Sequence, residues 1–237
     1  MKKLVPLFAI FTTTACGPEL LDRELQDIPG MTVHTDVNQL DDTESFSFGF
    51  DWERGGPCYR VPANTRLTVN GESFSIEERG ESVLSFDGSS FCRSPSFKGA
   101  LRPASETRTE IVLSDGHTSK RAVFQELRAE RRLRVNGQDQ ATLHVGDAVD
   151  VEWLPATDRL NKVDAALAVE GTSMNWQSLT PTTLEGNHIR FTFPKVSPGR
   201  YVLSLYGMGL AGVEMCDGFI DCKAFVAERI EVPVVVE

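Results

Sequence analysis

Ile189-Arg190-Phe191-Thr192-Phe193-Pro194-Lys195-Val196-Ser197-Pro198-Gly199-Arg200-Tyr201-Val202-Leu203-Ser204-Leu205 is the stretch that decides the fold. Before the break, apolar residues fall on every second position: Ile189, Phe191 and Phe193. After it they do so again: Tyr201, Leu203 and Leu205. A period of two places them on one face of a strand. Pro194, Pro198 and Gly199 punctuate the middle, so two half-buried strands flank a turn. The same period spreads outward in both directions. Val149, Val151 and Trp153 alternate with acids. Val163, Ala165, Leu167 and Val169 follow, and Ile230, Val232, Val234 and Val236 close the chain. Leu133 and Val135 open this half ahead of an Asn136-Gly137 turn.

The first half reads alike. Phe46, Phe48, Phe50 and Trp52 alternate with small and polar residues. Leu67 and Val69 precede Asn70-Gly71, and Phe74 and Ile76 follow it. Asn-Gly suits a two-residue hairpin because both turn positions need positive φ. Ser82 to Phe86 is a further strand. Thr107 to Leu113 and Ser119 to Leu127 flank Asp115-Gly116 as a second hairpin. Helical periodicity is nearly absent, so the predicted class is all-β. A chain of 237 residues exceeds one small sandwich and suits two domains of about 100 residues each. Phe48-x-Phe50-x-Trp52 echoes Val149-x-Val151-x-Trp153 one domain length later. The expected organisation is a leader over 1–15, a lipidated tether over 16–30, one β-sandwich over 31–129 and a second over 130–237.

The segment Phe193 to Tyr201 resembles the turn leading into strand F of immunoglobulin-like domains. The resemblance implies that Tyr201 forms a tyrosine corner, its hydroxyl bonding back to the turn. Leu203 stands where antibody domains carry their second cysteine, so their intersheet disulfide is not expected. Two consecutive immunoglobulin-like sandwiches are the expected fold. The resemblance says nothing about activity.

Lys2-Lys3, the apolar run Leu4 to Phe11 and the small residues Thr13-Thr14-Ala15 before Cys16 have the order of a secretory signal. Thr14-Ala15-Cys16 resembles the lipobox of bacterial lipoproteins, with Thr13 in place of the usual Leu. That resemblance implies cleavage before Cys16 and acylation of its thiol, hence a membrane partnership through lipid. Gly17, where an Asp would retain enteric relatives in the inner membrane, implies the outer membrane.

Cleavage removes two lysines and no acid, which leaves 22 basic against 34 acidic residues, a charge of −12. Such a chain repels phosphate backbones, and nucleic acid is not an expected partner. Besides Cys16, the cysteines are Cys58, Cys92, Cys216 and Cys222. Four allow three pairings. Exported chains oxidise their cysteines, and Cys58–Cys92 and Cys216–Cys222 keep each bridge within one half. The spacings do not match a zinc site.

Chemistry-bearing motifs are few. His34, His117, His144 and His188 are isolated, and neither a nucleophile elbow nor a phosphate loop occurs. No catalytic residue, metal or cofactor is assigned. The most individual segment is Cys216-Asp217-Gly218-Phe219-Ile220-Asp221-Cys222. It reads either as a presented contact loop, with Asp217, Phe219 and Asp221 as binding residues, or as a stapled hairpin that caps the core with Phe219 tucked in. Arg128, Arg131, Arg132 and Arg134 read as a docking patch or as a solvated face among acids. The function expected is a noncatalytic adhesion or assembly module of the envelope that contacts a protein or a glycan. The alternative is an envelope hydrolase or an enzyme accessory subunit whose site assembles across space.

Overall fold

The computed structural model describes residues 19–27, 30–38, 43–49, 57–85, 89–98, 107–172 and 176–237. The leader, Cys16, Phe50 and Trp52 lie outside them. The fold is all-β. The first part of the chain supplies β1 (Leu20–Asp22), β2 (Gly30–Asn38), β3 (Thr43–Gly49), β4 (Cys58–Arg60), β5 (Arg66–Val69) and β6 (Glu72–Glu78). It continues with β7 (Glu81–Leu84), β8 (Ser90–Arg93), β9 (Ser96–Lys98), β10 (Arg108–Ser114) and β11 (Ser119–Gln125). The next part supplies β12 (Arg132–Val135), β13 (Ala141–Leu143), β14 (Ala148–Leu154), β15 (Arg159–Val169), β16 (Gln177–Leu179), β17 (Thr183–Glu185) and β18 (His188–Thr192). The last three are β19 (Gly199–Leu210), β20 (Gly212–Asp217) and β21 (Asp221–Val236).

Turn chemistry sets the hairpins. Asn70 and Gly71 have φ of 50° and 82°, and β5 pairs with β6 across them. The Asn70 side chain also accepts the Glu110 amide at 2.7 Å, which ties the turn to β10. At the β10–β11 turn, Asp115 Oδ1 accepts the amides of His117 and Thr118 at 2.9 and 2.7 Å. Those two bonds hold its carboxyl below the ordinary aspartate range.

Two apolar cores form among the described residues. The second lies between a four-stranded sheet, ordered β12-β14-β18-β17, and one end of a seven-stranded sheet, ordered β16-β15-β19-β21-β2-β3 with β13 also on β21. Trp153, Ile189, Phe191 and Phe193 meet Leu203, Leu205, Val232 and Val234 there. The alternation read from the sequence is the burial pattern at these positions, whereas Val169, read as part of it, is 47% exposed. Tyr201 is buried in this core, and its hydroxyl donates to the Ser197 carbonyl at 2.8 Å.

The first core has a less local origin. Its six-stranded sheet is ordered β20-β11-β10-β5-β6-β9. Leu67, Val69, Ile111, Leu113, Ala122 and Phe124 pack against Ala211, Phe219, Cys222, Ala224 and Val226. Residues 31–129 thus supply only part of this core, and residues 211–226 complete it. The β19–β21 pairing runs without a register shift from Gly199–Val236 to Leu210–Phe225, so one continuous hairpin serves both cores. At its far end β21 takes β2 as a parallel neighbour, Gly30 opposite Asp221. Residues 19–27, read from the sequence as part of the tether, are packed. β1 pairs with β4, and Leu25 is fully buried in the first core. An isolated leucine in a polar stretch does not announce this, because the surface that receives it is assembled from distant strands.

Candidate functional site

Both downstream disulfides join the pairs the sequence reading chose. Cys58–Cys92 closes a separation of 34 residues and Cys216–Cys222 one of 6. By loop-closure entropy they restrict the unfolded chain by about 4 and about 2 kcal/mol.

The short bridge shapes the 216–222 loop. β20 runs antiparallel to β11, Cys216 opposite Ala122 and Asp217 opposite Arg121. Gly218 then turns the chain at φ 72°, where a Cβ would sit 3.1 Å from Lys120 Cγ. This turn sends Phe219 inward. It is only 7% exposed and belongs to the first core, so it is not a surface contact residue. Lys120 Nζ lies 5.3 Å from its ring centroid and donates to the Gln26 carbonyl at 3.3 Å. Burial lowers the Lys120 pKa, opposed by the charge of Asp27. The next residue points the other way: Ile220 is 83% exposed. Asp217 is exposed at the start of the loop, and Asp221 pairs with Lys223 at 2.5 Å. Val213 and Met215, on the strand leading in, are also exposed, and Glu214 is held by Arg108 at 3.0 Å. The loop therefore presents an apolar tip between carboxylates on a base fixed by a disulfide, a glycine turn and a buried aromatic.

The arginine cluster is not one solvated face. Arg128 and Arg131 are buried, whereas Arg132 is exposed and Arg134 half-buried. Arg131 Nε donates to Asp158 Oδ2 at 2.9 Å, and the same oxygen accepts the Trp153 indole N–H at 2.9 Å. Arg131 also caps the Leu127 and Ala129 carbonyls, both at 3.2 Å. Glu228 stands 3.9 Å from it, its pKa raised by burial and restrained by Arg131. This network joins the connection between the cores to the wall of the second. An arginine among glutamates carries no sequence sign of it, since the partner Asp158 is 27 residues away.

Other polar pairs are superficial. His144 lies 3.3 Å from Asp147 and His188 3.2 Å from Asp150, at exposed or half-exposed positions. Among the described residues no three His, Cys, Asp or Glu side chains gather as metal ligands would. Among them, too, no helix is long and apolar enough to cross a membrane. The chain matches no protein-family model and no curated protein.

Proposed function

We propose that this chain is a lipid-anchored envelope protein whose immunoglobulin-like β-sandwich framework displays a noncatalytic protein-contact loop. The observation that carries the reading is Ile220, a large apolar residue left 83% exposed on a covalently closed loop. A flexible loop would bury such a side chain or lose entropy on binding. A stapled one presents it at little cost. Asp217 and Asp221 flank it and favour a partner whose apolar socket is rimmed by cations.

The immunoglobulin-like part is supported by sheet order. β12, β14, β18 and β17 follow the order A-B-E-D, and β15, β19 and β21 follow C-F-G. The bond from Tyr201 to Ser197 has the form of a tyrosine corner. The anchor rests on Lys2-Lys3, the apolar run and Thr14-Ala15-Cys16, and the outer-membrane address on Gly17.

Two measurements test the proposal. Cys16→Ser should abolish fatty-acid labelling and membrane partition, and unchanged labelling would remove the anchor. Detergent-solubilised wild-type protein should retain a partner that Ile220→Asp loses. Equal retention by both would remove the loop from the contact.

A further inference from the structure

The outward face of the seven-stranded sheet carries an open groove of about 310 Å³ that neither core uses. Ala168 and Val202, directly paired across β15 and β19, line it. Val169, Thr172, Trp176 and Glu231 complete its walls. Two features set it apart from an ordinary sheet surface. Trp176 is 40% exposed, leaving much of an indole in water. The Glu231 carboxylate has no hydrogen-bond or ion-pair partner among the described residues.

The chemistry of the lining narrows the ligand. A lipid chain would use Trp176 and Val202 but leave the Glu231 carboxylate desolvated and unpaired. An anionic ligand would meet that carboxylate and the net charge of −10 of the whole chain. A pyranose ring satisfies both halves. Its C–H face is apolar and slightly positive, and it packs on the negative face of an indole. Its rim of hydroxyls donates to a carboxylate, which accepts through two oxygens. The groove is open rather than enclosed, so a ring within a longer chain can lie across it.

We propose that this groove binds an uncharged pyranose unit of an oligosaccharide, stacked on Trp176 and hydrogen-bonded to Glu231. The inference rests on the interaction-module reading and adds a glycan surface separate from the Ile220 loop.

The test is a titration of the full chain with two trisaccharides, one of N-acetylglucosamine and one of glucose, followed through the tryptophan indole N–H resonances. Trp176→Phe assigns the Trp176 signal. The expected result is a saturable shift of that signal with at least one trisaccharide, while the buried Trp153 signal stays fixed. By isothermal titration calorimetry, Trp176→Ala should abolish binding, and Glu231→Ala should weaken it by about tenfold or more, the scale of one lost charge-assisted hydrogen bond. Ile220→Asp should bind sugar as the wild type does. No saturable shift with either sugar up to about 20 mM, far above the Kd range of specific recognition, would overturn the proposal. So would unchanged affinity in the Trp176 or Glu231 variants, or tighter binding of a galacturonate trimer. Both side chains are surface groups, and a wild-type circular dichroism spectrum verifies that each variant is folded. Failure here with continued capture of a protein partner through Ile220 would leave the loop reading intact.

Discussion

Tyr201 and Tyr206 lie five positions apart on one strand, with opposite parts to play. The Tyr201 ring is buried and its hydroxyl is bonded to Ser197. Tyr206 faces outward, its ring 5.9 Å from the Arg229 guanidinium carbon. Tyr201→Phe should cost about 0.5–1.5 kcal/mol, the worth of one neutral hydrogen bond, and more if the Ser197 carbonyl goes unsatisfied. Tyr206→Phe should cost almost nothing. Urea melts of the full chain compare them, since the strand serves both cores and an isolated half would not retain its environment. Asp115 gives a pH test. Its carboxyl is held below its ordinary value, so its charge stabilises the folded state above the unfolded pKa and that contribution disappears as pH falls through the folded one. Asp115→Asn should therefore be less stable than wild type at pH 7, and the gap should close as pH drops below about 4. A constant gap between pH 7 and pH 2.5 would contradict this assignment. Both residues were legible in the sequence, because turn chemistry is local. Arg131 was not: its burial depends on Asp158, and nothing near it in the chain reports that.

Among elements, β19 shows where reading by alternation stops. Tyr201, Leu203 and Leu205 mark its buried face, but the next two inward positions are Gly207 and Gly209. Without side chains to mark them, the apolar alternation stops at Leu205, yet the strand continues to Leu210. Packing requires these glycines. A Cβ at Gly207 would lie 2.6 Å from Trp153 Cζ3, and one at Gly209 2.3 Å from the Arg159 carbonyl oxygen. The partner strand β15 shifts register between Leu160 and Lys162, close to this crossing. Gly209→Ala should destabilise by more than the 1–3 kcal/mol typical of overpacking, because the obstacle is backbone. Gly207→Ala meets the edge of an indole that can tilt, and should cost less. Denaturant midpoints would rank the two, and the reverse order would refute the argument. β20 was missed for another reason. It is an exposed edge strand, so its Gly-Val-Glu-Met-Cys-Asp sequence has no buried face to produce a pattern. The groove at Trp176 was equally illegible, since it joins residues from the 168–176 stretch, β19 and β21 that only sheet register brings together.

At the scale of the molecule, the shared hairpin and the Arg131 network make the two cores interdependent. Asp158→Asn keeps the shape but removes the charge that faces a buried arginine, and breaking such a pair costs about 3–5 kcal/mol. The loss should appear equally in the Trp153 indole N–H resonance and in proteolysis of the 108–125 hairpin in the other half. Separate transitions for the two probes would show that the halves unfold independently. Strand alternation and turn residues made the all-β class legible, but not this coupling. Strand patterns say which residues face inward, not which interior they join. The hairpin also imposes an order in time. A ribosome makes Leu67, Ile111 and Phe124 first, and the covering residues from Ala211 onward arrive roughly 85 residues after Leu127. At about 5–20 residues per second, those apolar strands precede their cover by several seconds. A chain halted in this interval is not a smaller folded protein. It carries apolar strands that stay uncovered until the residues from Ala211 to Val226 have been made.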